Sequence, residues 1–285
     1  MGLHRYYIEQ RLTSGRVSLS PEEAVHALRV RRETIGNRCV VFDGHGNESI
    51  AVIAVASKRE CELELEKIVF APRDLPGHFT LGVALPKGDR LRSVIERAVE
   101  LGVHVLVPIL TDRSVKIPSD NTIDKLQRIV LEACKQCERN RLMEIRQPIR
   151  FSEWVGQVAS GASVPHPSFR IIAHPDLPEH RITMQAFAIQ ACIEKPTTGF
   201  AAIGPEGGFT DDEVLEAVSR NWKVIDLGAR ILRVETAVAS LATLASVVFN
   251  DQQVARQESY SPNKPNFIAK PRLIEFPNSI DDTVE

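Results

Sequence analysis

The feature that most constrains this chain is a change in its hydrophobic pattern near residue 72. Before that point apolar and polar residues alternate, as in residues 60–66 (ECELELE). A period of two is typical of a β-strand with one buried face. Beyond it, short apolar runs such as 79–85 and 103–109 alternate with segments whose apolar residues recur at helical spacing. The sequence therefore predicts a small β-barrel-like domain followed by an α/β domain with a largely parallel sheet.

Local signals place the elements of the first domain. Residues 43–47 (DGHGN) form a hairpin turn signal between two apolar runs. The expected strands of this domain lie at residues 3–9, 39–42, 49–55 and 60–66. A short helix is expected to begin after Ser20, whose hydroxyl can cap it, and Glu23 has the spacing to close a capping box.

The second part of the chain reads as alternating strands and helices. The expected strands lie at residues 79–85, 103–109, 169–173, 200–203 and 224–227. The expected helices lie at residues 91–99, 124–138, 180–192, 211–220 and 236–249. Residues 251–285 contain four prolines and no apolar periodicity, which is typical of a loose tail. We therefore divide the chain into a β domain (1–72), an α/β domain (73–250) and a disordered tail (251–285).

The composition excludes several classes of protein. With 43% hydrophobic and 25% charged residues the chain is too apolar to be disordered, and it has no apolar run long enough to span a membrane. No secretory signal peptide is expected, because Arg5 stands where an apolar stretch would begin. The five cysteines are odd in number and scattered, which favours reduced thiols and a cytoplasmic protein.

The net charge of -2 excludes a wholly basic nucleic-acid coat, but the charge is unevenly placed. Residues 125–150 contain seven basic residues against three acidic ones, and residues 29–32 contain three arginines. Such clusters attract phosphate backbones, because each neutralised phosphate releases counterions. The alternative is a solvated helix face whose basic residues serve only solubility. Two separate clusters on an acidic protein favour an anionic polymer as partner.

Residues 204–209 (GPEGGF) form the first motif that indicates a binding site. They follow the strand expected at 200–203 and precede a helix for which Thr210 and Glu213 have capping-box spacing. A turn between a strand and a helix presents free backbone N–H groups at the carboxyl edge of a parallel sheet, where ligands bind in open α/β folds. Three glycines allow close approach of a ligand to the backbone. A purely structural turn needs fewer.

Residues 227–237 (LGARILRVETA) form the second motif. They run from a strand end into a helix that is apolar nearly all round and must therefore be buried. Burial of charged residues directly before such a helix costs free energy, unless they are paired with opposite charges or take part in a functional site. One interpretation is a functional site. The other is an internal salt bridge between arginine and Glu235.

Other patterns in the sequence do not indicate a functional site. Residues 44–46 (GHG) belong to the hairpin turn, because a strand follows them where a nucleotide loop requires a helix. Cys134 and Cys137 lack a second ligand pair at zinc spacing, so no metal site is expected. The glycine patterns of Walker and dinucleotide-binding loops are absent from the sequence. No serine or cysteine can be paired with a histidine, so hydrolase chemistry has no support.

Together the two glycine motifs resemble the cofactor motifs of the RsmE family of SPOUT-class RNA methyltransferases. Residues 85–89 (LPKGD) and 100–103 (ELGV) resemble the start of that catalytic domain, and Glu132, Ala133, Gln136 and Arg139 resemble its middle helix. In the first domain the resemblance is to a PUA-like RNA-binding module. It is carried by His26, Val30, Arg32, Gly36, residues 42–44 and Gly46. The resemblance spans about residues 1–250.

This resemblance implies a trefoil-knotted parallel sheet with a small N-terminal PUA-like β-barrel domain, and a homodimer. It implies S-adenosylmethionine as cofactor, methylation of N3 of a uridine in 16S ribosomal RNA, and a substrate within the small ribosomal subunit. The cofactor-binding residues that it implies are Ile203, Gly204, Pro205, Gly208, Leu227, Gly228, Ile231, Leu232, Thr236 and Ala237. No membrane partner is expected.

Catalytic and RNA-binding roles follow as hypotheses. N3 of uridine must lose a proton, so Glu235 is a candidate acceptor, and Arg233 or Arg230 can stabilise negative charge on the uracil. The candidate RNA-binding residues are Arg29, Arg31, Arg32, Arg139 and Arg141. Two alternatives remain: another SPOUT methyltransferase acting on a ribose hydroxyl or on transfer RNA, and a non-catalytic RNA-binding or ribosome-assembly protein.

Overall fold

A computed structural model describes residues 3–13, 15–57, 60–114, 120–160, 168–175 and 179–258. Its first sheet contains β1 (Arg5–Tyr7), β2 (Arg16–Ser18), β3 (Arg38–Phe42), β4 (Asn47–Ala56) and β5 (Cys61–Phe70). The strand order is β1-β3-β4-β5-β2; β1 runs parallel to β3 and the other pairs are antiparallel. The helix α1 (Pro21–Val25) continues into a π-helical segment, His26–Val30.

The second sheet is parallel throughout. Its strands are β6 (His78–Val83), β7 (Val105–Leu110), β8 (Glu144–Ile145), β9 (Ile149–Arg150), β10 (Ser168–Ala173), β11 (Arg181–Thr183), β12 (Thr198–Ile203) and β13 (Lys223–Asp226). The order is β11-β13-β10-β12-β6-β7-β8, with β9 also pairing with β7. The helices are α2 (Asp89–Glu100), α3 (Asp120–Cys137), α4 (Phe151–Ser160), α5 (Met184–Glu194), α6 (Asp211–Ser219) and α7 (Val234–Glu258).

Helices cover both faces of this sheet, which explains why its central strands β6, β7 and β12 are buried along most of their length. Alternate residues of a strand point to opposite faces. Phe79 and Leu81 of β6 pack in one core with α2, α3, α5 and α7, whereas Val105 and Val107 of β7 pack in a second core with α4 and α6. This is the doubly wound α/β arrangement, in which ligands bind at the carboxyl edge of the sheet.

The hairpin between β3 and β4 is held by a buried carboxylate. Asp43 accepts hydrogen bonds from the backbone N–H groups of His45 (2.8 Å), Asn47 (3.1 Å) and Leu12 (3.3 Å). Burial of Asp43 opposes its ionisation, but these bonds and one from the Asn47 side chain outweigh burial and lower the pKa of Asp43. Gly46 has φ +106°, and a Cβ atom there would lie 2.7 Å from Phe70. The assignment of this segment to a hairpin turn is confirmed.

Charged side chains connect the two sheets. Glu48 of β4 pairs with Arg73 at 2.7 Å and with Arg5 at 3.2 Å, and Arg5 also donates to Asn140. Burial raises the pKa of Glu48, but hydrogen bonds from Arg73 and Asn140 and the charge of Arg73 lower it to about 2. Glu23 pairs with Lys135 of α3 across the same boundary. The first domain is therefore fixed to the second by ion pairs whose carboxylates are largely buried.

Most of the predicted elements are present, with some corrections. Residues 181–183 form β11 where the start of a helix was expected, and β2, β8, β9 and α4 were not predicted. At α1 the Ser20 hydroxyl accepts from the N–H of Glu23 at 3.2 Å, but the Glu23 carboxylate pairs with Lys135 and does not close the capping box.

Two further predictions concern the ends and the path of the chain. The helix α7 extends to Glu258, eight residues into the segment predicted as a tail, and residues 259–285 lie outside the described residues. The trefoil knot stays a prediction, because strand order does not define how the chain threads. None of the described helices is long and apolar enough to cross a membrane.

Candidate cofactor site

The two glycine motifs meet at one cavity on the carboxyl edge of the parallel sheet. The register aligns Ala173 of β10 with Ile203 of β12 and Ile225 of β13, so the three strands end at the same level. The segments that follow, 204–209 after β12 and 227–234 after β13, both line a cavity of about 260 Å³. Ligands bind at such strand ends in open α/β folds, so this cavity is the candidate site.

Glycines at the rim face open space. Gly208 and Gly228 have φ of +71° and +105°, a range that side chains rarely adopt, and a Cβ atom at either position would meet nothing within 4 Å. Apolar side chains, including those of Ile203, Leu227 and Leu232, line the cavity beside them. The combination of accessible backbone and apolar walls suits an aromatic ring whose polar edge hydrogen-bonds to the main chain.

Each loop is held in shape by a charged side chain. Arg113, which follows β7, donates from Nη1 to the carbonyl oxygens of Gly207 at 2.7 Å and Phe209 at 3.2 Å. Asp226 accepts a hydrogen bond from the N–H of Gly228 at 2.8 Å and pairs with Arg181 at 3.4 Å. The backbone of both loops is therefore ordered before any ligand binds.

The predicted capping box at α6 is confirmed and has an additional role. The Thr210 hydroxyl accepts from the N–H of Glu213 at 3.3 Å, and the Glu213 carboxylate accepts from the N–H of Thr210 at 2.8 Å. The other oxygen of Glu213 accepts from the N–H of Asp112 at 3.0 Å. One carboxylate thus ties the start of α6 to the segment that carries Arg113.

Nine of the ten residues implied as cofactor-binding line this cavity. They are Ile203, Gly204, Pro205, Gly208, Leu227, Gly228, Ile231, Leu232 and Ala237. The tenth, Thr236, is exposed in the first turn of α7 and is not among the lining residues. The reason is helical periodicity: Val234 and Ala237 share the face that borders the cavity, and Thr236 lies on another.

Neither of the two candidate catalytic residues, Arg233 and Glu235, lines the cavity. Arg233 is exposed, Glu235 is 7% exposed, and neither is among the lining residues, whereas Arg230 is. In the described part of the chain Glu235 forms no ion pair, and its Oε2 atom has no hydrogen-bond partner. Neither the internal salt bridge nor a direct role for Glu235 at this cavity therefore has support from the geometry.

The basic cluster at 125–150 is less accessible to RNA than its sequence suggests. Arg139 is 2% exposed: its Nε atom lies 2.8 Å from Asp74, and its Nη1 atom donates to the carbonyl oxygens of Val99 and Val103. The prediction that Arg139 binds RNA has no support from the geometry, because burial and three hydrogen bonds hold its side chain in the core. Arg141 pairs with Asp74 at 3.2 Å but keeps 42% of its side chain exposed.

The N-terminal arginines are placed differently. Arg29, Arg31 and Arg32 are all exposed at the end of the π-helical segment and in the turn that follows it. Among the described contacts, Arg31 donates to the ring of His26 at 3.3 Å. These three side chains remain available to a phosphate backbone.

Sequence reasoning missed three parts of the cavity wall. Arg113 follows β7, His174 and Pro175 follow β10, and Glu206 lies inside the first glycine motif. The rule that sites form at the carboxyl ends of parallel strands would have found the first two parts, had it been applied to every strand instead of only to those with glycine motifs.

Two family models match the chain. One, described as an RNA methyltransferase domain, matches residues 73–246, more than half of the chain. The other, described as an RNA methyltransferase PUA domain, matches residues 19–66. Ribosomal RNA small subunit methyltransferase E of Synechocystis is 32% identical over 228 residues, which is 80% of this chain and 72% of that protein. The Bacillus subtilis protein of the same name is 26% identical, over 82% of this chain and 93% of that protein.

Two solved structures share the whole architecture. A methyltransferase from Legionella pneumophila in complex with S-adenosylmethionine has a TM-score of 0.74 and 27% identity, and the match covers 87% of this chain and 97% of that one. Ribosomal RNA small subunit methyltransferase E from Neisseria gonorrhoeae, also bound to S-adenosylmethionine, has a TM-score of 0.76 and 25% identity, with 87% and 98% covered.

Proposed function

The chain belongs to the RNA methyltransferase family that includes ribosomal RNA small subunit methyltransferase E, and from this premise we propose that it methylates N3 of a uridine in 16S ribosomal RNA with S-adenosylmethionine as methyl donor. One observation carries the proposal: the glycine loops after β12 and β13 converge on a single cavity. Two relatives that cover the same architecture are bound to S-adenosylmethionine.

The residues of the cavity fit this cofactor. Gly208 and Gly228 leave open space beside their backbone, which admits a ligand to the N–H and carbonyl groups of both loops. Ile203, Leu227 and Leu232 provide apolar walls for the adenine ring. Bound there, S-adenosylmethionine supplies an electrophilic methyl group on a sulfonium sulfur. The loops hold and orient it, and orientation is the main contribution that a protein makes to such a transfer.

The first domain supports the choice of RNA as substrate. A PUA domain of RNA methyltransferases matches this part of the chain, and it carries the exposed Arg29, Arg31 and Arg32. We assign these arginines and the partly exposed Arg141 to RNA phosphates, and each arginine would neutralise a phosphate with release of a counterion. The exposed members of the 125–150 cluster, including Lys125 and Arg128, extend this basic surface.

We also propose a homodimer and a cytoplasmic location. Apolar side chains on α5 and α7 are exposed: Ile189 by 59%, Ile193 by 76% and Val247 by 52%. Large exposed apolar groups on adjacent helices favour a contact with a second copy. The five cysteines are free thiols, which suits a reducing compartment. Light scattering at several protein concentrations tests the dimer, and a monomer at all of them would contradict it.

Nucleoside mass spectrometry tests the activity directly. 16S ribosomal RNA from cells that carry the gene is expected to contain 3-methyluridine at one position, and RNA from cells without it is expected to lack that nucleoside. Purified protein and S-adenosylmethionine should restore the modification on unmethylated small subunits. Equal amounts of 3-methyluridine in the two strains would contradict the proposal, and a methylated ribose in its place would identify a different SPOUT activity.

A further inference from the structure

A second cavity adjoins the cofactor cavity and shares only one wall with it. It has a volume of about 230 Å³, and its lining includes Pro205 and Glu206, which also line the first cavity. The rest of its wall comes from the ends of β6 and β7 and from the segment that leads into α2. A ligand in the second cavity would therefore lie beside one in the first, with the 205–206 segment between them.

The chemistry of this wall is that of a site for a planar, weakly acidic ring. Leu85, Pro86, Ile109 and Leu110 supply apolar surfaces on several sides, and the ammonium group of Lys87 is exposed at the rim. Apolar slots with few polar groups bind aromatic rings, and the polar groups fix their orientation. A cation beside such a slot stabilises negative charge that develops on the ring.

A carboxylate stands at the boundary between the two cavities. Glu206 pairs with Arg90 of α2 at 3.0 Å, and both side chains are nearly half exposed. The Glu206 carboxylate lines both cavities, and a carboxylate there can take a proton from a bound ligand. The only other carboxylate that lines either cavity within the described residues, Asp226, is engaged by Gly228 and Arg181.

We propose that the second cavity binds the target uracil and that Glu206 accepts the proton from its N3 atom. This inference rests on the proposed function. N3 forms a bond to the methyl carbon while the bond from that carbon to sulfur breaks, the electron pair of the broken bond stays on sulfur, and the N3 proton passes to Glu206. Lys87 and Arg90 stabilise the charge that spreads over the two carbonyl oxygens of the ring. Glu206 takes the role for which Glu235 was a candidate.

Single-turnover methylation of small ribosomal subunits from cells that lack the gene tests this assignment. The Glu206→Gln variant is expected to react about 100-fold or more slowly at saturating S-adenosylmethionine, a typical loss for a missing general base. Glu206→Asp should recover part of the rate. The matched control is Glu194→Gln, since Glu194 is an exposed glutamate at the end of α5, on the opposite edge of the sheet.

Two further readouts separate a proton acceptor from a structural residue. Calorimetry should give the same S-adenosylmethionine affinity for Glu206→Gln as for the wild type. The wild-type rate should level off with pH, whereas the Glu206→Gln rate should keep rising as hydroxide replaces the lost base. A Leu110→Trp variant, which narrows the second cavity, should lower the rate without changing cofactor affinity.

The outcomes are distinct. A Glu206→Gln rate equal to that of the wild type, or a reduced rate with an unaltered pH profile, overturns the role of Glu206. Weaker S-adenosylmethionine binding by Leu110→Trp assigns the second cavity to part of the cofactor and overturns the uracil site. If the wild-type protein methylates no uridine at N3, the proposed function itself has failed, and this result is visible before any variant is made.

Discussion

Replacement of Arg139 with methionine tests whether this arginine serves the fold or the RNA. Arg139 lies in the core with Nε 2.8 Å from Asp74 and with Nη1 within 3.2 Å of two carbonyl oxygens. Methionine fills similar space but leaves the Asp74 carboxylate, 7% exposed, without its buried partner. Removal of one member of a buried ion pair typically costs 3–5 kcal/mol, mainly because the other charge stays buried and uncompensated.

We therefore expect Arg139→Met to lower the free energy of unfolding by about 4 kcal/mol. In a chain of this size that corresponds to a fall in Tm of roughly 10 °C. Thermal and urea unfolding measure the loss. Asp74→Asn in the Arg139→Met background should recover part of it, since the amide removes the uncompensated charge. Arg141, which also contacts Asp74, limits the penalty but cannot replace the contacts of Arg139 with the carbonyl groups.

RNA binding provides the decisive comparison. Well below the Tm of the variant, Arg139→Met should bind unmethylated small subunits with wild-type affinity and an unchanged dependence on salt. Arg29→Met, which removes an exposed arginine, should lower the slope of log K against log salt by about 0.7–0.9. A variant of Arg139 with wild-type stability and a reduced salt slope would refute the argument that burial removes this arginine from the RNA surface.

Three other outcomes follow from the structure. Gly228→Val should weaken S-adenosylmethionine binding in calorimetry, because Gly228 has φ +105° and borders the cavity. Gly15→Val, at φ +108° directly before β2, is the matched control for backbone strain and should leave binding unchanged. Burial, and then the charges of Arg139 and the other nearby cations, lower the pKa of His104 to about 3. Below pH 6.5 the unfolded chain binds a proton at His104 that the folded chain does not. The free energy of unfolding should therefore be highest above pH 6.5 and about 2 kcal/mol lower at pH 5. Urea titrations above pH 6.5 and at pH 5 measure this loss, which His104→Gln should abolish. Glu48, with a pKa of about 2, contributes stability above pH 4.5 that is lost as the pH falls toward 2, so Glu48→Gln should remove about 3 kcal/mol of acid-sensitive stability.

The position of the cofactor cavity was predictable because it depends on local rules. A strand, a glycine turn and a capped helix define where backbone groups are free, and Thr210 and Glu213 form the expected capping box. Parallel strands bring their carboxyl ends to one edge, so two such turns were expected to meet. The alternation of residues 60–66 likewise predicted β5.

The sequence could not predict which charged side chains tertiary packing buries, pairs or turns away from the cavity. Arg139 and Lys135 belong to a basic cluster in the sequence, yet one is buried against Asp74 and the other pairs with Glu23 of the first domain. Burial and pairing are set by residues distant in the chain, and no local pattern encodes them. The direction of Glu235 depends on where α7 begins: a start at Val234 turns that carboxylate away from the cavity.

The ion pairs between the domains restrict how proteins of this kind can be recombined. Glu48 and Glu23 of the first domain, both largely buried, pair with Arg73 and Lys135 of the rest of the chain. A chimera that takes its N-terminal module from a distant relative would leave Arg73 and Lys135 without their partners, unless that module carried acidic residues at both positions. Transplanting residues 1–72 together with the two cationic partners should yield a folded hybrid, whereas transplanting the module alone should yield one that precipitates or is degraded.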